Sequence, residues 1–187
     1  MTQAARMPRP WTLADLEALP EDGQRYELID GSLLMSPPPT LVHQAVVDRV
    51  RRLLRGAAGP DLEVLEAVGL QLPSALLVPD VLVASAAAVW NGSSVLSPPD
   101  VLLVVEVVSP SSRTMDRITK PTLYAAAGVP AYWRVELSES GSASVVTFRL
   151  NETTYVEQAA VSPGDEVDLG WPLPLRLAPG EWRPHPS

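Results

Sequence analysis

Glu106 stands in the run VLLVVEVV (101–108), where every other residue is aliphatic. A run that apolar reads as a central strand buried on both faces. A lone carboxylate there is expensive unless it is paired, protonated or bound to a cation. Asp80 follows Pro79 and opens a second short apolar run, Val81 to Val83. Lys120 comes fourteen residues after Glu106, near the start of a predicted helix. Two acids on neighbouring strand ends and a lysine suit divalent-metal chemistry at a phosphodiester. The acids offer hard oxygens to Mg²⁺, and the ammonium can position the attacking water and meet the charge that develops on phosphorus. The backbone carbonyl of Val107 supplies one more oxygen. Glu27, in RYELIDG, supplies one more carboxylate, for this metal or a second one.

Plainer readings stand beside these. Asp80 after a proline can simply begin a strand. Lys120 alone is more often a solvated helix residue, and Glu27 alone a cross-strand salt-bridge partner. Glu106 has the strongest case for function over a structural role, because its neighbours are all apolar. His43, just after Pro37-Pro38-Pro39-Thr40, can contact a phosphate, tune a metal-bound water or be structural. Ser112, Arg113 and Arg117 flank the entry to the Lys120 helix and are candidates for touching phosphate. Other chemistries lack their residues. Cysteine is absent and His43 and His185 are the two histidines, which excludes thiolate and His-rich metal sites. Ser109, Ser111 and Ser112 have no histidine in a partner motif, and no glycine-rich phosphate loop is present.

The elements that must hold these residues can be read in order. LADLEAL after Thr12 is a short helix opened by a Thr-x-x-Asp box. YELIDGSLLM (26–35) is a β-hairpin turning at Asp30-Gly31. A helix over about 41–55 has an apolar stripe at Val42, Val46, Val50 and Leu53 or Leu54, stopping at Gly56. Strands are predicted within 62–72, at 80–83, at 101–108 and at 132–137, with a terminal hairpin over 144–150 and 154–158. Pro121 suits the first turn of a helix, so the helix that ends before Gly128 should begin near Lys120, leaving Asp116 and Arg117 in the loop before it.

A chain of 187 residues with 46% hydrophobic residues suits one domain with one core. Residues 1–10 read as a mobile arm and the proline-rich stretch from about 163 to 187 as an irregular tail with Trp171 and Leu173 packed down. The N-terminus lacks the apolar core of a signal peptide, and no apolar run reaches membrane-span length, so a cytoplasmic protein is expected. The net charge of −8 argues against a tight nonspecific binder of nucleic acid. It leaves room for a nuclease whose acidic site is neutralised by metal.

The strings RYELIDGSLLMSPPPTLVHQAVV and PPDVLLVVEVVSPSSRTMDRITKPTLYAAAGVPAYWRVEL resemble a large bacterial family of restriction-endonuclease domain proteins, over about Trp11 to Leu150. That family belongs to the PD-(D/E)XK nuclease superfamily. The resemblance implies an α/β (α+β) fold with a mixed central β-sheet flanked by helices. It implies a Mg²⁺-dependent DNA endonuclease, with Mn²⁺ as a possible substitute, and a homodimer if both strands are cut. Asp80 corresponds to the superfamily's PD aspartate and Glu106 to the acid of its second half-motif. Val108 departs from it: the superfamily usually has lysine two residues after that acid. In the resembling family the lysine stands in an Asp-Arg-x-x-Lys segment, here Asp116 to Lys120. The rival expectation is a catalytically silent member that serves as a binding or regulatory module; the acidic charge and the missing strand lysine favour it.

Overall fold

The computed structural model describes residues 9–19, 24–109 and 112–183. The expected N-terminal arm, 1–10, therefore lies mostly outside the described residues. Helix α1 (Leu13–Glu17) is opened by a capping box between Thr12 and Asp15, as its Thr-x-x-Asp pattern requires. Strands β1 (Arg25–Ile29) and β2 (Ser32–Ser36) form the hairpin. Its turn residues Asp30 and Gly31 have φ of 47° and 75°, the left-handed pair that lets two residues reverse a twisted ribbon. A Cβ on Gly31 would come within 2.4 Å of the Pro10 Cβ, so the turn needs glycine twice over.

Helix α2 spans Leu41–Ala57, and its N-cap Thr40 accepts the His43 N–H. Its buried face is His43, Val46, Val47, Val50 and Leu54. The stripe predicted through Val42 is displaced by one residue, and Val42 is exposed. At 100° per residue, Val46, Val47, Val50 and Leu54 centre the inward face on His43. Each of those four aliphatic side chains stabilises by roughly 1.5–3 kcal/mol on burial, so His43 is seated by packing beneath it. The helix also runs through Gly56 to Ala57.

Strands β3 (Leu62–Glu66), β4 (Leu70–Gln71), β5 (Ala75–Leu77) and β6 (Val81–Ser85) follow, then the short helix α3 (Ala86–Val89). Strand β7 is Val101–Val108 and helix α4 is Lys120–Ala126, entered through a π-helical turn over Met115–Thr119. Asp116 and Arg117 thus belong to that turn rather than to a loop. Strands β8 (Ala131–Leu137), β9 (Ala143–Asn151) and β10 (Thr154–Val161) complete the main sheet. Its order is β10-β9-β8-β7-β6-β3. β7 and β8 are parallel and the other neighbours antiparallel, because the α4 crossover returns the chain in the same direction. The hairpin, β5 and β4 make a second sheet, ordered β2-β1-β5-β4.

The stretch expected to be an irregular tail is partly regular. β11 (Val167–Leu169) and β12 (Leu175–Leu177) pair antiparallel, and Leu173 and Leu177 are buried in the core beside α2. Three-residue strands separated by prolines leave too short a period-2 signal to read. The hairpin β9–β10 is also not terminal, and β10 continues past a register shift at Glu157/Ala159 to Val161.

Alternation along the main sheet sorts its side chains into two cores. Val81, Val83, Val105, Val107 and Trp133 face α2. Leu82, Val104, Tyr132 and the helix residue Tyr124 fill the other face. The result is a mixed sheet with helices on its two faces, the restriction-endonuclease-like architecture. Among the described residues no helix is long and apolar enough to cross a membrane.

Candidate active site

β6 and β7 pair only as far as Val81 and Val105. β7 then runs on to Val108 beside β8, while Asp80 lies in a bend before β6. The N–H and C=O of one strand residue point to the same edge, so the departure of β6 uncovers both at Val107. Asp80 takes the N–H, which donates to Oδ2 at 2.9 Å. The carbonyl accepts from His43 Nε2 at 3.0 Å, and that nitrogen is 3.3 Å from Asp80 Oδ2. Because a carbonyl only accepts, Nε2 carries a proton. Asp80 Oδ1 accepts from Arg25 Nη1 at 2.8 Å.

Glu106, next along β7, projects its side chain on the Val104 face of the sheet. Its Oε1 accepts from Tyr124 Oη at 2.7 Å and from Lys120 Nζ at 3.1 Å. The same ammonium is 3.0 Å from Glu27 Oε1 and 3.7 Å from Asp116 Oδ1. Glu27 is fixed from the second sheet by the Val78 N–H, which donates to Oε1 at 2.8 Å. Asp116 is fixed by the Tyr132 hydroxyl, which donates to its backbone carbonyl at 2.5 Å. Val108 shares the Glu106 face of the strand and is buried, so the position two residues on is filled by packing and Lys120 reaches the acid from α4.

The structure thus brings Glu27, Glu106 and Lys120 together in one cluster, with Asp80, Val107 and His43 in an adjoining one at the strand split. Of the three candidates near the helix entry, Ser112 reaches the site only through Asp116, while Arg113 and Arg117 stand apart. Ser112 shares hydrogen bonds with Ser109 and bonds to the Asp116 carboxylate. Arg113 is exposed. Arg117 forms a two-pronged pair with Glu136, at 2.9 and 2.8 Å. Three participants went unread in the sequence: Arg25, Tyr124 and the carboxylate of Asp116. Asp116 and Tyr124 were within reach, since positions four before and four after Lys120 share its helix face. Arg25 carries no such signal, because only the pairing of β1 with β5 brings it to Asp80.

Charge bookkeeping inside the site is uneven. Glu27, Asp80, Glu106 and Asp116 are all buried, and they face two obligate cations, Arg25 and Lys120, and one histidine. Burial pushes Asp80 up, but His43 and Arg25 outweigh it and pull the carboxyl down to about 2. Burial pushes Glu106 up; Lys120 opposes this, but Asp80, Asp116 and Glu27 add to it, leaving the carboxyl at about 8. Asp116 is raised by burial against Lys120 and Ser112. Burial alone would lower Lys120, yet Glu106, Glu27 and Asp116 raise it, so it is an ammonium at any physiological pH. His43 is likewise raised: Asp80 and the Val107 carbonyl overcome burial.

This donor set fits Mg²⁺. Among the described residues no three or more His, Cys, Asp or Glu side chains form a ready-made metal cluster. Mg²⁺ does not ask for one, since it keeps several waters and takes one or two carboxylates plus substrate phosphate. Asp80, Glu106 and the Val107 carbonyl offer that many hard oxygens. The imidazole N–H of His43 already bridges two of those oxygens, as a cation would.

A family model described as "Uma2: Putative restriction endonuclease" matches residues 13–179, and the chain belongs to that family. Among solved structures, a crystal structure of "a putative nuclease belonging to DUF820" from Anabaena variabilis is similar at a TM-score of 0.70 and 17% identity, covering 92% of this chain and 97% of that one. At that identity the likeness speaks for the fold alone. No curated protein matches the chain.

Proposed function

We propose that this member of the restriction-endonuclease family is a Mg²⁺-dependent endonuclease that hydrolyses phosphodiester bonds in DNA. The observation that carries the reading is the buried Lys120 ammonium held between Glu27 and Glu106 beside a strand split where Asp80 takes the Val107 N–H. Neither a solvated lysine nor an ordinary core glutamate accounts for it. Asp80, Glu106 and the Val107 carbonyl would hold the metal. Bound there, Mg²⁺ supplies Lewis acidity toward a phosphate oxygen and a lower pKa for water.

The chain's own groups do the rest. Lys120, charged and fixed by Glu27 and Asp116, orients the attacking water and faces the negative charge that grows on phosphorus during in-line displacement. Glu27 serves that lysine first, since its Oε1 already takes the ammonium and the Val78 N–H. Tyr124 holds Glu106 in one rotamer from below. His43 keeps the Asp80 carboxylate against the β7 edge, and its own pKa is raised by that carboxylate and the Val107 carbonyl against burial.

A second reading is a silent binding module. One specific observation favours it: both Asp80 oxygens are engaged, by Arg25 on one side and by Val107 N–H and His43 on the other. The two readings part on one experiment. Plasmid DNA is incubated with Mg²⁺ or EDTA, and melting is followed with Mn²⁺ for wild type and Glu106→Ala. Metal-dependent nicking lost in the variant, with loss of the Mn²⁺ stabilisation, is the expected result. No nicking and no stabilisation in wild type would leave the binding module.

A further inference from the structure

Next to the candidate active site, Arg117 and Arg134 form a wall shared by two cavities of unlike character. Arg134 stands beside Glu106 in the β7–β8 register, and Arg117 follows Asp116. On one side is a depression of about 550 Å³, lined by both arginines, Glu136 and three serines, Ser138, Ser142 and Ser144. Two guanidiniums there share one carboxylate: Arg117 makes the two-pronged pair with Glu136, and Arg134 Nε lies 2.9 Å from Glu136 Oε1. That Arg134 nitrogen is buried and has no aligned hydrogen-bond partner among the described residues. The depression is lined by two guanidiniums against one carboxylate, a local surplus of positive charge in a chain whose net charge is −8.

On the other side is a cavity of about 310 Å³ lined by both arginines, Ile118, Tyr132, Phe148 and Tyr155. The rings of Phe148 and Tyr155 each stack on Tyr132, with centroids 5.8 and 5.6 Å apart. Arg134 lies over Phe148 at 5.4 Å. Tyr132 is buried, whereas Phe148 and Tyr155 are half-buried, so the aromatic layer still offers a face. Ile118 adds an exposed apolar rim. The volume is at the small end of ligand pockets, which run from about 300 Å³ upward.

We infer that these two cavities form one nucleotide site, with a backbone phosphate at Arg117 and Arg134 and an unpaired base against Phe148 and Tyr155. Arginine forks suit phosphate oxygens, and aromatic faces with a neighbouring guanidinium suit any base. A base in a duplex has both faces covered by its neighbours and its edge paired, so it cannot enter a recessed aromatic pocket without leaving the stack. The inference rests on the nuclease reading for the chemistry next door and narrows its substrate to nucleic acid with an unpaired nucleotide close to the scissile bond.

The test is binding of short fluorescein-labelled oligonucleotides, followed by anisotropy in Ca²⁺, which carries the charge of Mg²⁺ with looser geometry. Single-stranded DNA and RNA are each compared with a blunt duplex of the same sequence. A preference of about tenfold or more for either single strand supports the site, and Phe148→Leu should remove most of it, on the scale of one lost base stack. Should Phe148→Leu fail to fold, 2-aminopurine placed in the single strand gives the same answer with wild-type protein: its emission must be quenched on binding. Equal affinity for duplex and single strand, an unquenched base, or a folded Phe148→Leu protein that keeps the preference would overturn the inference. The two claims fail separately. Glu106-dependent cleavage of duplex without any single-strand preference ends this one and leaves the nuclease. Single-strand binding with no metal-dependent cleavage does the reverse.

Discussion

Lys120 and Glu106 meet at 3.1 Å, with the lysine on a helix that follows the strand rather than on the strand itself. The ammonium is also shared with Glu27 and Asp116, so it has two duties, chemistry and neutralisation. Lys120→Met keeps the stem and removes the charge. Cleavage should fall by about two orders of magnitude or more, the scale of losing one preorganised stabilising group. Breaking a buried ion pair from one side also costs about 3–5 kcal/mol. The variant should therefore melt lower than wild type in EDTA, and Mg²⁺ should restore part of the loss while binding no more weakly than before. Unchanged cleavage would mean that the lysine is structural only.

Glu106 sets a pH dependence. Its carboxyl is raised from the ordinary glutamate value of 4.5 to about 8, so the folded protein holds a proton that the unfolded chain releases. The associated stability is fully present below about pH 4.5 and is lost as pH rises through about 8. In EDTA, melting temperature should fall over that window. With Mg²⁺ the fall should shrink, because the cation replaces the proton, and metal affinity should climb with pH until about 8. Calorimetry in buffers of different ionisation enthalpy should show proton release on metal binding at pH 7. Binding without proton release would put the metal elsewhere.

Tyr124→Phe removes the hydroxyl that donates to Glu106 Oε1 at 2.7 Å and leaves the ring in place. A hydrogen bond to a charged group contributes roughly 1.5–3 kcal/mol. Losing it should raise the alkaline transition of metal binding by about one pH unit and weaken Mg²⁺ binding at pH 7 by about tenfold. The near-ultraviolet circular dichroism should be otherwise native. A transition at the same pH would show that Lys120 alone controls the acid.

The parts of this arrangement that could be read in advance are those written locally. β7 announces itself because VLLVVEVV needs two buried faces, the hairpin because Asp30-Gly31 demands a left-handed turn, and α4 because Pro121 tolerates only a first turn. Asp80, Glu106 and Lys120 could be grouped from their types and places on predicted elements, and the superfamily likeness gave that group its motif. What stayed hidden depends on assembly. Arg25 finds Asp80 only because β1 pairs with β5, and Arg134 joins Arg117 only because β8 lies parallel to β7. The inward turn of His43 rather than Val42 was decided by which residues over the next three helical turns could pack on Val83 and Trp133. Strands β11 and β12 are too short to have a period.

The last prediction concerns Asp80, whose two oxygens are held from opposite sides by Arg25 and His43. If Asp80 is a metal ligand, Arg25 competes with the cation for Oδ1, and the 2.8 Å pair must loosen when metal enters. Arg25→Gln removes the charge and retains hydrogen-bonding capacity. Mg²⁺ affinity measured by calorimetry should then rise severalfold, since one cation near the site is gone. Stability in EDTA should fall modestly, because Asp80 still keeps the Val107 N–H at 2.9 Å and His43. The pH dependence separates the two partners. His43 is raised above its ordinary value by Asp80 and the Val107 carbonyl despite burial, so its contribution is complete below about pH 6.5 and disappears as pH rises through its folded value. The Asp80 carboxyl, held down at about 2, contributes at every pH above about 4 and fails only as pH falls through 2. Arg25→Gln should therefore melt lower than wild type across the neutral range, with the gap widening as pH rises through the folded His43 value and Asp80 is left without either charge. His43→Gln should show the opposite trend, a deficit confined to the acidic side of its transition. A drop in Mg²⁺ affinity in Arg25→Gln would mean that the arginine orients Asp80 for the metal, and the competition between them would be refuted.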